Sequence, residues 1–308
     1  MQLVLKSFLV GFNNGYICQK LNEKMISFEP KELETPKLHG YLLSAVAPRP
    51  IAFASTIDEN GNPNLSPFSF FNVFSANPPI LIFSPARRVR GNTTKHTLEN
   101  AEVTKEVVIN VVNYNLVHQA SLSSTEYAQG VNEFEKAGLT MLKSDLVKPF
   151  RVAESPVQME CKVKEIIKLG TEGGAGNLII CEVVKMHIDE AILNEAGSID
   201  QNKLDLVARA GGSYYSRAKS GFFEIPKPLS TRGIGVDALP EVIKKSRILT
   251  GNDLGMLGNV EALPDMASIE AFSKEHNVSE WSEEEKHKKA QAFLSEGDVT
   301  AAFCVLLA

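Results

Sequence analysis

Between Arg49 and Pro79 the chain reads RPIAFASTIDENGNPNLSPFSFFNVFSANPP, a stretch that sets hydroxyls and amides among aromatic rings. Ser55, Thr56, Ser66, Ser69 and Asn72 offer donors and acceptors, while Phe68, Phe70, Phe71 and Phe74 offer flat contact area. This mixture suits a planar ligand with polar edges, because aromatic faces supply area and hydroxyls and amides satisfy the edge atoms. For any single phenylalanine here, the core of a half-buried sheet is the commoner role. Downstream, Arg87-Arg88-Val89-Arg90 is the tight basic cluster of the chain, too short for a nucleic acid and suited to a small phosphate. Asn92, Thr93, Thr94, Lys95, His96 and Thr97 then lead into a helical pattern over 94–103. A helix N-terminus flanked by hydroxyls and cations binds anions; ordinary capping by Asn92 or Thr93 is the competing explanation. Arg49, presented from stiff backbone between Pro48 and Pro50, either joins such a site or pairs along a sheet edge.

The elements that must position these residues follow from pattern. Ile51–Ile57 reads as a strand of alternating small and large residues, with room for a ligand beside it. Asp58-Glu59-Asn60-Gly61 supplies hairpin turn chemistry, and Asn64–Phe74 is the return strand, stopped by Pro78-Pro79. Strands are expected at 80–84 and 106–112, helical turns at 116–123 and 132–138, and a long hairpin from 155–168 and 177–188. Gly173-Gly174-Ala175-Gly176 joins that hairpin; it lacks G-x-G-x-x-G spacing and leads into a strand, so a Rossmann reading is rejected. Gly211-Gly212 permits close backbone approach and sets Tyr214 and Tyr215 where one ring could meet a ligand.

Taken in order, Arg49-Pro50, Ser55-Thr56, Asn64–Asn72, Pro78-Pro79, Ser84, Arg87-Arg88, Gly91, Lys95-His96-Thr97, Ile109-Asn110-Val111 and Gly211–Tyr215 resemble the flavin reductase-like proteins. The resemblance covers residues 36–226. It implies a mainly β fold with helices, the Greek-key, FMN-binding split β-barrel. It also implies FMN as cofactor, held by Arg49, Ser55, Thr56, Ser66, Pro67, Ser69, Phe70, Phe71, Asn72, Ser84, Arg87, Lys95, Thr97 and Tyr214. The compact phosphate site is expected from Arg49, Arg87, Lys95 and Thr97. NADH or NADPH is the implied reductant, stacking on the flavin and passing it hydride without a nucleotide-binding domain. The chemistry then belongs to the flavin, and no side chain is assigned as catalytic. A flavoredoxin-like electron carrier reduced by a protein partner is the second reading, and a barrel that has lost its flavin and serves as a binding module is a third. The family's assembly implies a homodimer with flavin sites near the subunit interface.

Composition narrows the remaining classes. With 308 residues, 44% of them hydrophobic, the chain can bury a substantial core. A net charge of −5 argues against nucleic acid as a partner. No H-E-x-x-H, G-x-S-x-G or P-loop occurs, and the histidines are scattered, so no metal site is assigned. Cys18, Cys161, Cys181 and Cys304 show neither C-x-x-C nor metal-ligand spacing and are expected as reduced thiols in the cytoplasm. The pattern shows no transmembrane span. Residues 1–24 read as an N-terminal extension, disordered or non-native, with a start at Met25 expected to suffice for folding and flavin binding. Residues 25–225 form the barrel domain, and 226–308 form a helical extension after Pro226-Lys227-Pro228, with helices at 237–248, 267–276 and 282–296. Gly251, Gly255 and Gly258 read as turns and close contacts. The extension is expected to act as interface or lid, its core being marginal alone.

Overall fold

The computed structural model describes residues 25–225 and 232–308; the extension 1–24 and the Pro226–Pro228 linker lie outside them. The chain divides into two compact units, one of which is Phe28–Phe223. Its strands are β1 (Ala52–Ile57), β2 (Pro63–Phe68), β3 (Phe71–Ala76), β4 (Pro79–Phe83), β5 (Glu106–Val111), β6 (Met141–Leu142), β7 (Arg151–Val152), β8 (Val157–Lys168), β9 (Asn177–Ile188), β10 (Val207–Arg209) and β11 (Tyr215–Arg217). Helices α1 (Thr35–Ala45), α2 (His96–Thr104), α3 (Val117–Leu122) and α4 (Glu133–Ala137) are set among them.

Seven strands pair antiparallel in the order β2-β1-β5-β8-β9-β4-β3. The two edge strands, β2 and β3, are consecutive in sequence and joined by Ser69 and Phe70 alone. A flat sheet of this width would hold its edges about 29 Å apart at about 4.8 Å per strand. Three Cα steps span at most about 11 Å. The sheet must therefore curl until its edges nearly meet, which gives a split barrel. A contact across the opening agrees: the rings of Phe68 on β2 and Phe83 on β4 lie 5.6 Å apart. The single return strand expected over Asn64–Phe74 is thus two strands, because Ser69-Phe70 carries the chain from one edge to the other.

Curling gives the sheet two buried faces. Along β1, Ala52 and Ala54 enter the barrel core with Phe83, Ile109 and Ile179, while Phe53, together with Ile51 just before the strand, packs outside against Leu116 just before α3, Ala120 of α3 and Phe134 of α4. The alternation of small and large residues is this division. The long hairpin β8–β9 places Cys161 opposite Val183 and Val163 opposite Cys181. Both thiols are fully buried, and burial pushes Cys161 up to about 12, so they act as small apolar residues.

Glu160 is a buried carboxylate that holds the 145–147 loop. It accepts N–H groups from Asp145 (2.9 Å), Leu146 (2.6 Å) and Val147 (3.2 Å), and meets His187 Nε2 at 2.7 Å. Asp145 is paired with Lys185. Asp145, Glu160 and His187 bring their ligand atoms within 4.8 Å of one another, yet these bonds occupy Glu160 with the loop instead of an ion.

Glu224–Ala308 belong to the second unit, whose core is built from Leu239, Ile243, Leu257, Val278, Leu294 and Phe303 among others. The helices expected at 267–276 and 282–296 are found as Met266–His276 and Glu283–Ser295, the second capped by Ser282 in a capping box with Glu285. The helix expected over 237–248 shortens to Glu241–Lys244 because Pro240 starts it. Gly251–Gly258, read as turns, is a helix. The Thr250–Asp253 capping box and burial of Leu257 outweigh the poor propensity of its glycines. Gly258 is a close contact as expected: a Cβ there would meet Val236 N at 2.9 Å. Val299–Leu307 forms a further, largely buried helix. Among the described residues no helix is long and apolar enough to cross a membrane.

Burial pushes the Glu160 carboxyl up, but the loop N–H groups and His187 outweigh this and hold it below the ordinary value of 4.5. Its contribution to stability is therefore complete above that value and lost as pH falls through the lower folded value. Glu160→Gln is expected to cost about 2 kcal/mol at pH 7, with the gap to wild type closing in urea unfolding curves at acid pH.

Candidate functional site

The paired strands β1 and β2 form the wall that carries most of the expected ligand-facing residues. Their register sets Ala54 opposite Ser66, Ser55 opposite Leu65 and Thr56 opposite Asn64. Thr56 is fully buried, and its Oγ1 accepts from Asn64 Nδ2 (3.3 Å) and Asn100 Nδ2 (3.1 Å). Asn64 Nδ2 also reaches Thr97 Oγ1 at 2.9 Å. Thr56 and Thr97, far apart in sequence, are thus joined through Asn64, and Asn100 of α2 adds a second tie to Thr56. Ser55 is also fully buried, but its Oγ has no hydrogen-bond partner among the described residues. A hydroxyl buried without a partner costs free energy, so this atom needs an account.

The basic loop after β4 is moulded against the β8–β9 turn. Ser84 Oγ accepts Asn177 N–H (3.0 Å), Asn177 Nδ2 donates to Pro85 O (2.8 Å), and Arg87 N–H donates to Ala175 O (2.8 Å). Glycine is required for this fit: a Cβ on Gly173 would meet Val89 O at 2.8 Å, and one on Gly176 would meet Ser84 Oγ at 2.9 Å. The glycine run that imitates a nucleotide fingerprint is the surface on which the arginine loop rests. Within the loop, Arg87 turns back onto Asn92 through Nε (2.7 Å) and Nη2 (2.6 Å). Arg88 binds Thr93 Oγ1 (3.0 Å), Thr94 O and Glu126 (2.9 Å).

Helix α2 begins with Lys95 at its cap position and no side chain capping it. Neither Asn92 nor Thr93 fills that role. The first-turn N–H groups therefore lack the usual side-chain acceptor. Lys95 Nζ lies 3.8 Å from Glu126, and desolvation, with Arg88 nearby, pushes its amine down.

Other expected residues stand elsewhere. Arg49 is buried and turned away from this loop: its guanidinium donates to Leu43 O, Val46 O (2.8 Å) and Ala210 O (3.2 Å), tying α1 to the segment after β10. Phe71 packs against the barrel core, Asn72 is exposed on the edge strand, and Phe70 sits edge-on to His39. Tyr214 is 78% exposed. Its neighbour Tyr215 instead lines a cavity of about 280 Å³ together with Pro67, Ser69, Ser121, Ser124 and Arg209. The cavity unites Pro67 and Ser69 with residues not singled out from sequence. Arg209 sits two residues before the Gly211-Gly212 pair, which was the signal available for it.

Glu133 was also not singled out. Because β2 is an edge strand and Leu65 turns its N–H away from β1, that donor needs an outside partner, and Glu133 Oε2 accepts it at 3.0 Å. Burial, only partly offset by this bond, pushes the Glu133 carboxyl up. Glu133→Ala is expected to lower stability by about 2 kcal/mol by orphaning a buried N–H. Glu133→Gln, which keeps an acceptor, should lose less than half of that in the same urea titration.

The sequence profile of the flavin reductase like domain matches residues 44–207. An uncharacterized protein of Aquifex aeolicus is 36% identical over 193 residues, covering 63% of this chain and 96% of that protein. Among solved structures, nitrilotriacetate monooxygenase component B from Bacillus cereus superposes with a TM-score of 0.62 at 28% identity, covering 66% of this chain and 100% of that one. A flavin reductase-like structure with a split barrel domain from Shewanella frigidimarina superposes with a TM-score of 0.56 at 28% identity, over 66% of this chain and 100% of that one.

Proposed function

The chain belongs to the flavin reductase-like family, and from that premise we propose that it is an FMN-dependent oxidoreductase reduced by NADH or NADPH. The observation that carries the reading is Ser55, whose buried hydroxyl has no partner among the described residues and stands on the strand pair expected to face the ligand. A polar edge atom of a planar cofactor would satisfy it.

When bound, FMN supplies the hydride and electron chemistry of its ring. The chain supplies place and environment. Ser55 offers its hydroxyl on the face it shares with Pro67 and Ser69, Ser66 stands on the opposite face beside Ala54, and Phe70 and Phe71 follow along the β2–β3 crossing as wall. Thr56 and Thr97 keep the wall and α2 in fixed relation through Asn64 and Asn100. The uncapped N-terminus of α2, with Lys95 beside it, offers the phosphate both N–H donors and positive charge. Ser84 and Arg87 shape the loop that leads there. Arg49 acts at one remove, through the backbone it ties, and Asn72 and Tyr214 lie on exposed backbone from which only a partner copy could enclose them.

A second copy is the partner we place against β3. This edge strand exposes Val73 and Phe74, 64% and 63% accessible, beside unpaired backbone groups, a surface that soluble proteins cover. Two-fold pairing covers it on both copies. Free, buried Cys161, Cys181 and Cys304 suit the cytoplasm.

The purified protein should be yellow or take up FMN, with the flavin identified by mass. Anaerobic mixing with NADH and then NADPH should bleach the flavin absorbance with one or both. Persistent colour would replace the reductase with an electron carrier reduced by a protein partner, and a protein that takes up no flavin would end the FMN reading.

A further inference from the structure

The cavity beside Pro67 and Ser69 has a positive wall that no carboxylate among the described residues pairs with. Arg209 lies over the Tyr215 ring, its guanidinium carbon 4.6 Å from the ring centre. Among the described residues it makes one side-chain hydrogen bond, Nη2 to Gly212 O at 2.8 Å, and most of its donor fork has no partner there. Arg49 runs beside it, the two residues exchanging backbone bonds of 2.9 and 2.8 Å. Burial, and then Arg209 itself, push the Arg49 guanidinium down, the sign of two cations set close together. Among the described residues neither guanidinium is paired with a carboxylate.

The rest of the lining fits an anion with an apolar body. Ser69 and Ser121 line the cavity, and their hydroxyls make no hydrogen bond among the described residues. Ile51, Val117 and Ala120 supply the apolar wall. At about 280 Å³ the space falls just below the usual range of about 300–1,000 Å³ for ligand pockets, too small for a dinucleotide and adequate for one ring with a charged substituent.

We propose that this cavity is a binding site for a small organic carboxylate. The carboxylate takes the free donors of Arg209, a planar fork matched to two oxygens. Ser69 and Ser121 donate to the same group, and the apolar body lies against Ile51, Val117 and Ala120. That the ligand is a neighbour of bound flavin rests on the FMN reading; that it binds does not.

The test is calorimetric titration of the full chain, with and without added FMN, using benzoate and its neutral counterpart benzamide at low salt. Benzoate should bind at least about tenfold more tightly than benzamide. Arg209→Gln should remove that preference, Arg209→Lys should keep part of it, and Ser121→Val should weaken benzoate severalfold with an unchanged melting temperature. Equal binding of the two probes by the wild type, or full preference retained in Arg209→Gln, would overturn the site. If Arg209→Gln does not fold, the wild-type comparison and Ser121→Val decide the matter. FMN uptake is read in the same samples, so a protein that binds benzoate but not FMN contradicts the flavin reading alone, and one that binds FMN but not benzoate contradicts this site alone.

Discussion

The two-residue link between β2 and β3 is the constraint on which the barrel unit depends. Because Ser69 and Phe70 join strands at opposite edges of the sheet, the sheet has to curl. Curling makes β1 a strand buried on both faces and brings Phe68 to Phe83 across the seam. It also sets the residues of the link where backbone crosses between edges instead of running in a ladder. Side chains there are held by the barrel yet are not consumed by strand pairing, a placement that favours binding over packing.

Polar groups inside this frame divide into those the protein satisfies and those it leaves open. Thr56, Thr97, Asn64 and Asn100 satisfy one another, Glu133 satisfies the edge N–H of Leu65, and Ser84 and Asn177 lock the arginine loop to the glycine turn. These bonds rigidify the wall. Ser55, the first turn of α2 and the fork of Arg209 are left open. Among the described residues the buried side-chain atoms without a partner are Ser55 Oγ and Arg49 Nε, and such atoms call for an account that a ligand would supply at Ser55.

Much of this was legible in the sequence. The 177–188 strand, the Asn132-capped turn and the Ser282-capped helix carry strong local signals and appear where their patterns put them. The glycine run at 173–176 turns a hairpin, in keeping with its lack of G-x-G-x-x-G spacing. What was not legible is long-range. Asn64–Phe74 has one composition throughout, and only the neighbours chosen by β2 and β3 show that it is two strands at two edges. Arg49 has a guanidinium that suits phosphate as well as carbonyls, and the carbonyls of Leu43, Val46 and Ala210 that engage it come together only in the fold. Tyr214 and Tyr215 are indistinguishable by type; strand alternation sends the second to the cavity. Gly251–Gly258 reads as turns by propensity and is helical because tertiary burial overrides a penalty of about 1 kcal/mol per glycine.

The central claim is that the N-terminus of α2 and Lys95 hold the phosphate of FMN while the β1–β2 wall holds its ring. The most direct measurement is a fluorescence titration of wild type and Lys95→Glu with FMN and with riboflavin, which carries the same ring without the phosphate. The account predicts that Lys95→Glu weakens FMN by more than about tenfold, since a charge-assisted bond becomes a repulsion, and leaves riboflavin nearly unchanged. Equal losses for the two ligands would contradict the assignment of the phosphate to this helix.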